Sequence, residues 1–206
     1  MSTISASTTS TTAYKVTADT TGALVLQTGA TPTTAVTVDT GQRTTFPTTI
    51  AIGNATPSTS GSGITFPATQ SASSDVNTLD DYEEGTWSPS VAGTATYNQQ
   101  LGWYVKVGQL VTISFDMGIN VIGTGSGTTI SGLPFANVQS NAQNPGGGVS
   151  YFSGLAVSVF YLATQISGTN IIFITTTAAT ATCNNTASIF TSSARVIGTL
   201  SYRTAT

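Results

Sequence analysis

The side chains most able to do chemistry in this chain are carboxylates, and most of them lie close together. The chain has eight Asp and Glu residues, and five of these lie within ten residues: Asp75, Asp80, Asp81, Glu83 and Glu84. Two carboxyl groups roughly 5 to 9.5 Å apart can hydrolyse a glycosidic bond, and Trp87 nearby could stack on a sugar. Carboxylates also bind Ca²⁺, although the spacing here matches no EF-hand loop. Hydrolysis and cation binding are therefore two hypotheses for this run.

A structural role is the third hypothesis for the acidic run and the one that we favour. The run separates a Thr/Ser-rich stretch from the more apolar remainder of the chain. We expect Asp80 and Asp81 to accept backbone N–H bonds, and we expect Tyr82 and Trp87 to pack inward. Residues 79–87, which include Glu83 and Glu84, are called the junction motif below.

Other catalytic chemistries lack the residues that they need. The chain has no histidine, which removes Ser/His/Asp and Cys/His triads and almost every zinc site. Cys183 is the only cysteine, so no intrachain disulfide can form, and its sequence neighbours supply no base. The glycine-rich run over residues 123–127 lacks the Lys and Ser/Thr that end a phosphate-binding P-loop. We therefore predict a protein that is not an enzyme, with no metal ligands and no cofactor.

The composition indicates a surface that is covered by other molecules. Only 6% of the residues are charged, against about 25% in an average soluble domain, and a free monomer normally needs charge to stay soluble. The net charge is −3 and the five cations are scattered, so we expect no binding of nucleic acid. No apolar run approaches the roughly 20 residues of a membrane span, and residues 1–13 do not resemble a secretory signal.

The residue types predict an all-β chain with two parts. Val, Ile, Thr, Tyr and Phe are plentiful, and strong helix formers are scarce. Residues 1–76 are predicted to form an N-terminal attachment module that ends in an extended linker. Residues 77–206 are predicted to form a C-terminal β-sandwich of jelly-roll type, with seven or eight strands.

The predicted N-terminal module is thin. Residues 1–12 are expected to form an extended arm, followed by a β-meander with strands over residues 14–18, 23–27 and 35–39. Three short strands cannot bury much surface. The module is therefore expected to complete its core with other chains or by docking onto a larger body. Residues 40–76 hold recurring prolines and a Ser/Gly-rich stretch, which favour extended chain.

Alternation of apolar and polar residues predicts the strands of the C-terminal part. Leu110 to Met117 gives the clearest pattern, with one apolar face. Residues 149–163 predict one or two strands interrupted at Gly154, and residues 170–175 predict a fully buried strand. The last strand is expected to alternate through Val196, Gly198, Leu200 and Tyr202.

Two groups of residues could recognise a partner. Four aromatic side chains could form a sugar-binding platform: Trp87, Tyr97, Trp103 and Tyr104. Aromatic residues in strands more often anchor a core or an interface, and we expect that role for Trp103. Two glycine-rich loops are better candidates, because loops on a rigid sandwich usually carry recognition. Their residues are Gly123, Gly125, Ser126 and Gly127 in one loop, and Asn144, Gly146, Gly147 and Gly148 in the other.

Part of the sequence resembles a known class of proteins. Residues 63–70 (GITFPATQ), followed by the LDDYEEGTW run, resemble a junction common in bacteriophage tail-fibre and other virion surface proteins. Residues 97–135, with WYVKVG and SGLPF, continue the resemblance, and residues 4–39 look like N-terminal stretches of such proteins. The likeness covers roughly two thirds of the chain.

The resemblance implies a β-structured homotrimer on the virion surface. Its N-terminal module would attach to other virion proteins, and its C-terminal part would face outward, toward a host surface glycan or protein. A short tail fibre that binds a receptor is the favoured expectation. A capsid decoration protein is the close alternative, because the chain is short for a fibre and has no coiled-coil shaft. A polysaccharide-degrading tail spike is the third expectation.

Overall fold

The structure is a computed structural model that describes residues 22–75, 77–138, 145–176, 178–179, 184–185 and 188–205. The described residues form strands and connecting turns and contain no helix, so the all-β prediction is confirmed. The chain divides into two compact units, Met1–Thr69 and Gln70–Thr206. The first residue of the second unit is thus Gln70, seven residues before the boundary expected from the sequence.

The first unit contains two small sheets. Strands β1 (Leu24–Thr28), β2 (Thr33–Val38) and β3 (Thr44–Thr45) form an antiparallel sheet. Strands β4 (Thr49–Ala51) and β5 (Gly63–Thr65) pair in parallel. Residues 40–76 were expected to be edge or extended pieces, and β3, β4 and β5 are short extended strands within that range. The linker role of this range stays a prediction. The strand expected over residues 14–18 lies outside the described residues.

The described part of the first unit has no core of its own. None of its residues 22–69 is buried. Every residue of β1 is exposed, including three apolar ones: Leu24, Val25 and Leu26. Apolar burial is the main stabilising term for a small domain. The described strands of this unit therefore supply little of the burial that a stable fold requires.

The second unit is built on one large antiparallel sheet. Its strands are β6 (Tyr82–Trp87), β7 (Thr96–Val107), β8 (Leu110–Val121), β9 (Thr129–Ile130), β10 (Gly146–Ser153), β11 (Tyr161–Ser167), β12 (Asn170–Thr176), β13 (Asn184–Asn185) and β14 (Arg195–Arg203). Their hydrogen-bonded order is β13-β12-β11-β10-β14-β8-β7-β6, and β9 also pairs with β12. The last strand thus lies between β8 and β10. The jelly-roll connectivity stays a prediction.

The sheet curls around a single hydrophobic core. The predicted apolar face of β8 is confirmed, since four alternate side chains are at most 1% exposed: Val111, Ile113, Phe115 and Met117. The predicted buried strand is confirmed as β12, where Ile171 and Phe173 are fully buried. On β14, Val196, Leu200 and Tyr202 face the same core. Period-two alternation with one apolar face was a sufficient signal for β8 and β14, and the continuous apolar run was the signal for β12.

The glycines of the second predicted loop form a strand instead. Gly146, Gly147 and Gly148 begin β10 and pair with β11, and Gly147 and Gly148 also pair with β14. A Cβ atom added to Gly147 would lie 2.1 Å from the backbone oxygen of Thr199. The glycine is therefore required by close packing of two strands and not by a turn. The interruption predicted at Gly154 is confirmed, because β10 ends one residue before it.

Candidate functional site

The junction motif is fixed by a buried ion pair. Asp81 and Lys106 are each only 4% exposed, and the Lys106 Nζ atom donates to Asp81 Oδ2. Lys106 Nζ also lies 3.4 Å from the side-chain oxygen of Gln70 and 5.6 Å from the ring centre of Phe135. Burial lowers the pKa of Lys106, while the charge of Asp80 acts in the opposite direction. Asp81 thus joins the start of this unit to strand β7 through its side chain.

Asp80 accepts hydrogen bonds from the segment that precedes it. Its carboxylate accepts the backbone N–H of Ser73 at 2.7 Å and the side-chain amide of Gln70 at 3.2 Å. These hydrogen bonds lower the pKa of Asp80, because they favour the charged form. The expected backbone N–H bond is therefore present for Asp80. For Asp81 the partner is the Lys106 ammonium.

Glu83 and Glu84 lie on opposite faces of β6, because successive strand residues alternate. On the inner face, Tyr104 donates to Glu83 at 2.6 Å, and this hydrogen bond together with burial raises the pKa of Tyr104 to about 12. On the outer face, Tyr82 donates to Glu84 at 2.8 Å. Tyr82 is 43% exposed, so the expectation that it packs inward was wrong. The two glutamates do not converge on one reaction site.

Trp87, the last residue of the junction motif, is buried in the core of the second unit. It is 7% exposed, as its expected inward packing requires, and its indole N–H donates to the backbone oxygen of Ser114 at 3.2 Å. Its ring meets Phe115 edge to face at 6.2 Å between centroids. A Cβ on Gly102 would lie 2.5 Å from the indole nitrogen. Trp87 is thus a core residue and is not available to a sugar.

Strand β7 turns its apolar face toward solvent. Four alternate side chains are 41–48% exposed: Leu101, Trp103, Val105 and Val107. The opposite face carries Gly102, Tyr104 and the buried Lys106. Trp103 was expected to anchor a core or an interface; its exposure excludes the core role, and the interface role stays a prediction. The physical reason for this exposure is that Asp81 and Glu83 hold Lys106 and Tyr104 on the inner face.

The exposed face around Trp103 is called the Trp103 face below. It consists of Trp103, Val105 and the residues beside them on neighbouring strands: Glu84 and Thr86 on β6, Thr112 and Ser114 on β8, and Thr199 on β14. Trp103 borders three open hollows, one of them toward β6 and another toward β8. Trp103 and Val105 are exposed apolar side chains on this face, and exposed apolar patches rimmed by polar residues mark binding surfaces.

The polar side chains of the Trp103 face are set on both sides of the indole. Thr86 and Ser114 are the direct cross-strand neighbours of Trp103. Their hydroxyl groups make no hydrogen bond to another described residue. By contrast, the Thr199 hydroxyl donates to the backbone oxygen of Ile113 at 2.8 Å. Thr86 and Ser114 were not singled out from the sequence, where a hydroxyl residue in a Thr/Ser-rich chain carries no signal.

The first predicted recognition loop is tied to the body of the unit. Gly123 and Gly125 form a turn in which the Gly125 N–H bonds the Ile122 oxygen at 2.8 Å. The Ser126 hydroxyl accepts the N–H groups of residues 128 and 129, and the Gly127 oxygen accepts two further N–H groups. These bonds engage the Ser126 hydroxyl and the Gly127 oxygen within the unit, and recognition by this loop stays a prediction. Asn144, of the second predicted loop, lies outside the described residues.

The described residues contain no group of three or more His, Cys, Asp and Glu side chains that could hold a metal ion. No helix among the described residues is long and apolar enough to cross a membrane. Comparisons with protein-family models, with curated proteins and with solved structures found no match.

Proposed function

We propose that this chain is a non-enzymatic surface protein of a bacteriophage virion and that it acts by binding. The observation that carries the binding role is strand β7, which buries Lys106 and exposes Leu101, Trp103, Val105 and Val107. Exposing apolar side chains while burying a charge costs stability, so the arrangement favours a surface used by a partner. The virion setting is supported by the resemblance of the junction motif and its flanking residues.

The favoured form of this proposal is a short trimeric tail fibre that binds a receptor. Trimerisation is supported by the first unit, where none of the described residues is buried, and by the scarcity of charge in the whole chain. Copies that associate through this unit would supply the apolar burial that its described residues lack in one copy. The first unit would also attach to other virion proteins, and the second unit would present the Trp103 face to the host surface.

A capsid decoration protein is the second candidate. The observation that favours it is the absence of a shaft: the residues that the structure describes contain no helix, and the chain holds no repeat that could build a long fibre. In that form the apolar face would contact capsid subunits. Both candidates place the protein on the outside of the particle.

Gold-labelled antibodies against the chain, viewed on intact particles by electron microscopy, test the proposal. The tail-fibre form predicts gold at the tail end only. Gold over the whole shell would replace it with the decoration form. The control is a particle stock in which the protein is detected after disruption and in which the antibody recognises it. Unlabelled intact particles from that stock would contradict both forms.

A further inference from the structure

We propose that the Trp103 face is a binding site for a neutral glycan. The inference rests on the proposed attachment role and adds the site and the class of ligand to it. Trp103 is 48% exposed and lies on β7, between β6 and β8. Its cross-strand neighbours, Thr86 and Ser114, place one hydroxyl group on each side of the ring.

The indole explains why a sugar fits. The face of an aromatic ring carries negative electrostatic potential, and the C–H groups on the flat side of a sugar ring carry a small positive charge. A sugar that stacks on Trp103 would therefore gain both apolar burial and electrostatic attraction. Tryptophan also supplies a large contact area at a small entropic cost, since it has only two side-chain torsions.

The polar surroundings of Trp103 match the hydroxyl groups of a stacked sugar. Neighbouring strands lie roughly 4.8 Å apart, so hydroxyls on β6 and β8 are within reach of a ring that stacks on β7. Thr86 and Ser114 offer donors and acceptors that no described residue occupies. Glu84 lines the hollow toward β6 and adds an acceptor for sugar hydroxyls.

The charges indicate a neutral ligand. Glu84 is the only Asp, Glu, Lys or Arg side chain lining the described hollows that border Trp103. On the same side of the sheet, beside Leu101, Asp116 is paired with Arg195, which donates two hydrogen bonds to it at 2.9 and 2.7 Å. An acidic glycan would meet one negative charge and no cation that could balance it. A neutral glycan meets hydrogen-bonding groups, the indole and Val105, and it needs no cation to balance a charge.

The test uses the purified full chain on a printed array of neutral and acidic oligosaccharides. The neutral set consists of glucose, galactose, mannose, rhamnose and N-acetylglucosamine oligomers. Binding to neutral members is expected, and Trp103→Ala should weaken it roughly tenfold to a hundredfold, the range for loss of one aromatic stacking partner. Trp103→Phe should restore part of the affinity. Tyr161→Ala is the matched control, because Tyr161 is 50% exposed but lies on β11.

Two further measurements keep the test decisive. Thr86→Val, which keeps the side-chain shape and removes the hydroxyl, should weaken binding severalfold. A bound neutral sugar should also protect Trp103 fluorescence from quenching by acrylamide, while the buried Trp87 is protected in both states.

Three results would overturn the inference: no neutral oligosaccharide binds, binding survives Trp103→Ala, or only acidic members bind. A change in the number of associated copies on Trp103→Ala, without any glycan binding, would assign the face to contacts between copies instead. Failure here and failure of the proposed function are distinguishable. Gold at the tail end together with a blank array would remove the glycan site and leave the virion role intact.

Discussion

Removing one partner of the Asp81–Lys106 pair should destabilise the second unit strongly, whereas replacing both should not. Both side chains are about 95% buried. In Asp81→Leu, Lys106 would keep the side-chain oxygen of Gln70 at 3.4 Å and the Phe135 ring as its neighbours. Breaking a buried pair in this way costs about 3–5 kcal/mol, or roughly 10–20 °C in Tm for a unit of this size.

The double variant Asp81→Leu with Lys106→Met is the control for this prediction. Apolar residues of similar volume often replace a buried ion pair without loss of stability, so the double variant should unfold within about 1 kcal/mol of the parent. Urea unfolding followed by tryptophan fluorescence is suitable, because both tryptophans, Trp87 and Trp103, belong to the second unit.

The single variant also has a pH signature. Burial lowers the pKa of Lys106 below its ordinary value of 10.5, and losing Asp81 should lower it further. At pH values between the lowered pKa of Lys106 in the folded variant and the ordinary 10.5 of the unfolded chain, the unfolded chain binds more protons than the folded one. The unfolding free energy of Asp81→Leu should therefore rise with pH toward 10.5. An Asp81→Leu protein as stable as the parent, or a double variant as unstable as the single one, would refute the reasoning.

Two other predictions concern packing and alkaline pH. Gly147→Ala should lower the unfolding free energy by about 1–3 kcal/mol, because the added Cβ would meet the Thr199 backbone oxygen. Gly148→Ala is the control and should be nearly neutral, because its Cβ would have no atom within 4 Å. Equal Tm values for the two variants would contradict this prediction. The pKa of Tyr104 is raised to about 12 in the folded chain, against 10.0 in the unfolded chain. The stabilisation that its hydrogen bond to Glu83 adds to the unfolding free energy is therefore complete below pH 10.0 and is lost as pH rises to about 12. Tyr104→Phe should flatten that loss, as measured by urea unfolding from pH 9 to 12.

The strands that the sequence predicts are those whose apolar residues form an unambiguous pattern, either alternating or continuous. Strand β8 alternates apolar residues with polar ones such as Thr112, Ser114 and Asp116, so only one face can be buried. Strand β12 is apolar throughout its centre, and its burial follows from hydrophobicity alone. Such signals are local and need no knowledge of neighbouring strands.

Strand β7 shows why the candidate site is hidden in the sequence. Its alternation is as regular as that of β8, and hydrophobicity alone would bury Trp103, Val105 and Val107. The opposite face of β7 is buried instead, because Asp81 pairs with Lys106 and Glu83 accepts a hydrogen bond from Tyr104. This pairing becomes visible only when β6 is placed beside β7 in register. A local rule fails here, as it does most often at surfaces that serve a function.

The glycines at the start of β10 were wrongly predicted to form a loop, again because the deciding contact comes from another strand. Three consecutive glycines are typical of a loop when only local conformational freedom is considered. In the structure, Gly147 is needed because β14 passes too close for a side chain. That requirement comes from residues more than 50 positions later in the chain. A single sequence contains no sign of it.

Competition for attachment tests the central claim most directly. To test the proposed attachment role, phage particles found to carry this chain are mixed with their bacterial host in the presence of increasing amounts of the purified chain, and unadsorbed particles are counted. The account predicts that the parent chain and Tyr161→Ala slow adsorption, and that Trp103→Ala does not. Adsorption that is unaffected by a saturating amount of the folded parent chain, or that Trp103→Ala slows equally well, would contradict attachment through the Trp103 face.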